Sequence, residues 1–346
     1  MIDPHVHLRD WAQAEKETLE HGLSVASSCG IDEVFDMPNT SPPLIHRAAI
    51  LKRLEDAQKG FPSVRYHLYA GLTQDPEQIQ EVVGLCREFP QQVIGLKLFA
   101  GHSTGNMGLV GEDTQKSVYH VLSELGYEGV VALHCEKESL LRPELENMQD
   151  FSSHSLARPV EAEVVSISDQ LEFSRAAHFA GHLHVCHLSS VSSLILIEQA
   201  KREGRRVSCA VTPHHVLLSS VDAKHHQLYA KMNPPLRSDQ ERHALFTALL
   251  EGRIDWIESD HAPHTLADKE DGASGIPGFS GLLILVKRLI DAGCPDSLLQ
   301  ELLGKRVQKT FNLEDRSIFI PSYENLDKLS LEASKAYSYD AFALIR

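Results

Sequence analysis

Asp3-Pro4-His5-Val6-His7 sets two imidazoles two residues apart; in a β-strand both point to one face and can grip one metal ion together. Alone the pair says little. Twenty histidines make roughly one His-x-His expected from composition, and a second pair stands at His182 and His184; polar decoration of a strand end is the alternative. Lys97, inside Gly95-Leu96-Lys97-Leu98-Phe99, is more informative. A lysine between apolar neighbours in a buried strand pays a heavy desolvation penalty as an unpaired ammonium, so it needs a partner or a modification. Carboxylation by carbon dioxide would turn the amine into an anionic carbamate whose two oxygens can bridge two divalent cations; a strand-end salt bridge is the competing explanation. His134, in Ala132-Leu133-His134-Cys135-Glu136, and His187, in Val185-Cys186-His187-Leu188, are then candidates to hold the second cation, or else satisfied core histidines. Asp260, opening Asp260-His261-Ala262-Pro263-His264, is an acid–base candidate or a loop cap.

These residues sit near the ends of short apolar runs that alternate with stretches of helical period, the pattern of repeated βα units. Strands are expected at 2–8, 31–37, 64–72, 93–100, 130–135, 183–188, 207–212 and 254–259, and helices between them include 15–29, 44–58, 76–89, 160–180 and 191–203. The expected fold is α/β, a TIM-type (β/α)8 barrel over residues 1–315, with 316–346 an aperiodic tail packed outside it. An open doubly wound sheet is the rival. In a barrel the candidates converge on one ring at the C-terminal strand ends, where barrel enzymes gather their catalytic groups. The long return over 212–255, with His214-His215, Asn233-Pro234-Pro235 and Arg237, is expected to build the mouth. His214 and His215 are given no ligand role, and His182 and His184 are expected to face helices or solvent. The glycine-rich stretch 101–108 lacks the Gly-Lys-Ser/Thr ending of a phosphate loop and reads as a mobile loop near the site.

With 33 basic against 48 acidic residues, the net charge of −15 disfavours nucleic acid and anionic membranes as partners and favours small-molecule chemistry. Six scattered cysteines without a Cys-x-x-Cys pair suit a reducing compartment. No signal-peptide pattern and no long apolar run is present, so a soluble, cytoplasmic protein is expected.

Asp3-Pro4-His5-Val6-His7-Leu8-Arg9, Met37-Pro38-Asn39-Thr40, Gly95-Leu96-Lys97, Cys186-His187, Thr212-Pro213-His214-His215, Asn233-Pro234-Pro235-Leu236-Arg237, Ser259-Asp260-His261-Ala262-Pro263-His264 and Pro277-Gly278-Phe279 occur in this order. Over roughly residues 1–310 the chain thereby resembles dihydroorotases, members of the amidohydrolase superfamily. The resemblance implies two zinc ions per subunit, one on His5, His7, Lys97 and Asp260, the other on carboxylated Lys97, His134 and His187. It also implies substrate contacts from Arg9, Asn39, Asn233 and His264. The reaction implied is reversible hydrolysis of L-dihydroorotate to N-carbamoyl-L-aspartate, in pyrimidine (UMP) synthesis, by a hydroxide bridging the two metals, with Asp260 moving the proton. Arg9 distinguishes this from the hydantoinases and dihydropyrimidinases, whose substrates lack the ring carboxylate a guanidinium can hold. Those enzymes, allantoinase, and a catalytically silent scaffold are the alternatives. Homodimerisation and association with other pyrimidine-pathway enzymes are the partnerships it suggests beyond the substrate. Two departures stand out: Asp10-Trp11-Ala12 replaces an acidic residue followed by proline and glycine, and Ala210 stands where many relatives carry glutamate. With the chain starting almost at its first strand, a barrel-only form without a sizeable flanking β domain is expected.

Overall fold

The computed structural model describes residues 1–61, 63–102 and 107–346. All eight expected strands form, as β1 (Ile2–Val6), β2 (Glu33–Asp36), β3 (Arg65–Gly71), β4 (Val93–Ala100), β5 (Val130–Cys135), β6 (His182–Val185), β7 (Val207–Val211) and β8 (Trp256–Ile257). They pair in parallel in strict chain order, β1 to β8. His261 then bridges Val6 in parallel and its carbonyl accepts from the His7 N–H at 2.7 Å, bringing the last strand back to the first. A doubly wound sheet would reverse its strand order at a switch point; this one does not, and it is a barrel. Among the described residues every named strand belongs to this sheet.

The strands read as almost unbroken apolar runs because helices cover the outer face and opposite strands the inner one. β4, Val-Ile-Gly-Leu-Lys-Leu-Phe-Ala, is buried throughout, lysine included. Around it the longer helices are α1 (Leu19–Ser28), α2 (Arg47–Gly60), α3 (Pro76–Glu88), α4 (Glu112–Glu124), α5 (Val160–Ala176), α6 (Val191–Arg202), α7 (Asp239–Leu250) and α8 (Phe279–Asp291). Several starts are encoded locally. Thr18, Asp75, Ser190 and Ser238 accept from first-turn N–H groups, and Pro76 follows Asp75 where its missing N–H is harmless. Phe311 plugs the inside of the barrel, its ring centroid 4.9 Å from that of Phe35 and 6.1 Å from those of Tyr69 and Trp256.

The tail is more regular than its sequence suggests. A helix, α9 (Tyr323–Lys335), lies along α8 and buries Leu326, Ser330 and Ala333, with Ser330 Oγ donating to Ser280 O at 3.1 Å. Its inward stripe mixes one leucine with a serine and an alanine, so the helical period is faint in a hydrophobicity pattern. Beyond it Phe342 packs on Gly281, where a Cβ would come within 2.2 Å of the ring, so only glycine fits that contact. The loop expected over 101–108 has its centre, residues 103–106, outside the described residues. No described helix is long and apolar enough to cross a membrane.

Candidate active site

Inward positions at the C-terminal strand ends line a cleft. His5, His7, Lys97, His134, His187 and Asp260, the six expected metal ligands, all face it, joined by Arg9, Asn39 and Asn233. His5 Nε2 and His7 Nε2 are 3.2 Å apart and lie 3.3 and 3.1 Å from Asp260 Oδ1, close enough for one cation to touch all three. His134 Nδ1 and His187 Nε2 face each other at 3.1 Å. Lys97 is fully buried, its Nζ 3.3 Å from Cys186 Sγ and 5.0 Å from the centre of the Phe99 ring; among the described residues it has no carboxylate partner.

The opposite edges of the rings decide what those facing nitrogens are. His5 Nδ1 meets Glu258 Oε1 at 2.9 Å, His7 Nδ1 meets Asn39 Oδ1 at 2.6 Å, and His134 Nε2 meets Glu136 Oε2 at 3.0 Å. These oxygens only accept, so the protons sit on that side: His134 Nδ1 turns a lone pair to His187 Nε2, whose own proton no partner fixes because His187 Nδ1 has none among the described residues, and His5 and His7 turn lone pairs to each other and to Asp260. Lone pairs at such distances repel unless a cation lies between them. Nitrogen donors with one carboxylate suit zinc, so the residues present fit a metal centre. Burial pushes His5 down to about 4 and lowers His134 and His187 as well, keeping the imidazoles neutral. Asp260 (φ 48°) and His187 (φ 37°) both adopt the left-handed region, a conformation sparse for non-glycine residues and concentrated at functional sites.

On the substrate side Arg9 is 2% exposed, and its Nε donates to Pro263 O at 3.1 Å. It makes no ion pair among the described residues, and burial lowers its pKa. His264 lies behind Arg9 rather than in the lining. Its Nε2 is 3.0 Å from Ser274 O, which can only accept, so Nε2 carries the proton and cannot take one from Arg9 Nη2 at 3.3 Å. Asn233 Oδ1 is held by His154 Nε2 at 2.9 Å and Ser274 Oγ at 3.2 Å. Gly275, at φ 135°, lets the wall close on His264, whose ring a Cβ would meet at 3.0 Å.

Three parts of the site differ from the sequence reading. Glu258 and Glu136 were not singled out, although each is a carboxylate directly after an apolar strand and two residues from a candidate ligand. Arg158 pairs with Glu136 at 2.5 Å and locks it against His134. Asn39, expected at the substrate, also anchors His7. His184, expected to face helices or solvent, is instead buried inside the barrel, stacked 4.3 Å from Trp256 with Nε2 3.3 Å from Glu258 Oε2. Strand alternation places His182, His184 and Cys186 on the inner face; His187 joins them because its positive φ turns it inward.

No family model matches the chain. Curated dihydroorotases do. That of Thermococcus kodakarensis is 39% identical over 293 residues, covering 84% of this chain and 62% of that protein. The Methanothermobacter thermautotrophicus protein is 32% identical over 91% of this chain and 70% of its own length, and that of Staphylococcus aureus 32% over 99% and 80%. The chain thus spans a little under two thirds of the first and up to four fifths of the others. Among solved structures, L-hydantoinase from Arthrobacter aurescens superposes with a TM-score of 0.82 at 24% identity, covering 93% of this chain and 73% of that one. Dihydroorotase from Saccharomyces cerevisiae in complex with 5-fluoroorotic acid gives 0.73 at 19% identity over 92% and 85%. At those identities the superpositions establish the barrel fold. The sequence relationships go further, and the chain belongs to the dihydroorotase family.

Proposed function

We propose that this chain itself converts L-dihydroorotate and water reversibly to N-carbamoyl-L-aspartate. Two zinc ions would be held by His5, His7 and Asp260 and by His134 and His187, with carboxylated Lys97 between them. The observation that carries the substrate assignment is Arg9, a buried guanidinium in the cleft that makes no ion pair with a carboxylate among the described residues. A charge in that position calls for a partner, and the ring carboxylate of dihydroorotate supplies one in bidentate geometry. The same logic applies to Lys97. A buried amine with no carboxylate partner among the described residues would gain, on adding carbon dioxide and losing a proton, the negative charge that a cation pair needs.

When bound, divalent cations supply Lewis acidity that lowers the pKa of water and polarises an amide carbonyl. The chain's own groups do the rest. Arg9 orients the ring by its carboxylate, and Asn233, its Oδ1 already occupied, presents Nδ2 to a ring carbonyl. Asp260, held as the anion, takes the proton of the attacking water on Oδ and delivers it to the ring nitrogen as the C–N bond breaks, so no charge is left on the departing group. Ring closure runs the same steps backwards. The six free cysteines agree with a reducing, cytoplasmic setting.

The test compares dihydroorotate with dihydrouracil, in the wild type and in Arg9→Met. The wild type should prefer dihydroorotate. Arg9→Met should lose roughly 30- to 150-fold in kcat/KM on it, the worth of a charged hydrogen-bonded pair of about 2–3 kcal/mol, and nothing on dihydrouracil. Equal use of both substrates by the wild type would favour a hydantoinase-type activity, and a metal-loaded protein inert towards both would favour a silent scaffold.

A further inference from the structure

Glu258, immediately after β8, is completely buried, yet one of its oxygens serves both halves of the proposed metal centre. Oε1 meets His5 Nδ1 at 2.9 Å and accepts the backbone N–H of His187 at 2.7 Å. Oε2 takes the third contact, with His184 Nε2 at 3.3 Å. Because a carboxylate only accepts, His184 donates through Nε2, its Nδ1 accepts from Ser208 Oγ at 3.0 Å, and Ser208 accepts in turn from His182 Nε2 at 2.7 Å. The chain of hydrogen bonds runs in one direction and ends on Glu258.

The route of this side chain matters. β7 lies between β6 and β8, so a β8 residue that touches His184 and His187 must cross the inner face of β7. His184 stacks on Trp256 above β7 and binds Ser208 there; Ala210, two residues on, shares that face. The residue crossed is therefore an alanine, with only a methyl group in the way.

We infer that Glu258 is the positioning residue of this centre, reaching across Ala210 to fix the ring of His5 and the backbone of His187 so that their facing nitrogens meet the metals. The inference rests on the metal-dependent reading above. A carboxylate on the neighbouring strand at position 210 would point into the same space, so the function should be transferable between the two positions.

Chelator competition for zinc on the purified full chain tests this. E258A should release zinc at roughly 10- to 100-fold lower chelator concentration than the wild type, the usual effect of losing a partner that orients a metal-binding histidine. E258A/A210E should recover most of that loss, and E258Q, which keeps the shape and one acceptor oxygen, should fall between. Circular dichroism and melting of the metal-free proteins report whether each folds; if E258A does not, E258Q carries the comparison. Wild-type zinc retention in a folded E258A or E258Q overturns the inference and leaves the metal reading intact. A folded double variant as weak as E258A overturns the reach across Ala210. A wild type that retains no zinc removes the metal reading, and this inference with it.

Discussion

Asp260 Oδ1 lies 3.3 and 3.1 Å from His5 Nε2 and His7 Nε2, where a cation shared with them would hold it as the anion, the state a proton acceptor must have before it acts. Asp260→Asn keeps the shape but cannot accept a proton. Turnover of dihydroorotate should fall roughly 100- to 10,000-fold with little change in melting temperature; unchanged turnover would reject the assignment. Glu136→Gln should act more mildly, because His134 keeps an oxygen partner at Nε2 while Arg158 loses its counter-ion. At this scale the sequence was legible where a polar residue interrupts or directly follows an apolar strand, which is why Lys97, His134 and Asp260 stood out. Glu258 carries the same signal inside the expected strand 254–259, but its role became legible only once the fold brought it against His5 and His187. His184 was misplaced because counting along β6 does not reveal that the positive φ at His187 adds a neighbour to the inner face.

Two pocket walls, the segment bearing Met232 and Asn233 and the loop bearing Ser274 and Gly275, come from distant parts of the chain and are tied by one buried side chain. Lys269 Nζ donates to Lys231 O at 3.0 Å, Ala273 O at 2.8 Å and Gly275 O at 2.9 Å. Lys269→Met should strand those carbonyls, lowering stability by about 1–3 kcal/mol. It should also raise KM for dihydroorotate more than it lowers kcat, since the walls and not the metal ligands are loosened; steady-state kinetics beside a urea titration measure both. The strands around these walls were readable from their apolar runs, and β4 and β5 match the expected spans to the residue. β8 was not: only Trp256 and Ile257 form a ladder, although the Glu258 N–H still reaches Val211 O at 3.1 Å. Lys269 was invisible to sequence reading because its partners are carbonyl groups, which every residue carries.

Across the whole molecule the C-terminal segment ties back to the catalytic face. Tyr337 OH donates to Glu17 Oε1 at 2.8 Å, and Glu17 also meets His261, the residue after Asp260, at 3.1 Å. Burial pushes Glu17 up, but His261, His21 and Tyr337 outweigh it and bring it down to about 2, against 4.5 in the unfolded chain. A depressed carboxyl stabilises the fold above its unfolded value and loses that contribution as pH falls from about 4.5 towards 2. The stability gap between wild type and Glu17→Gln, on the order of 2 kcal/mol at neutral pH, should therefore shrink on acidification in urea titrations. Tyr337→Phe should cost about 1–2 kcal/mol. The barrel was legible from its alternating periods, whereas this brace was not, because it joins residues 320 positions apart and pattern reading sees only neighbours. Six side chains at the ends of five strands must hold metal for one reaction. Dihydroorotate hydrolysis followed while zinc is stripped by a chelator and then returned tests that most directly: activity should vanish with the metal and come back with it, and full turnover by protein shown to be metal-free would contradict the account.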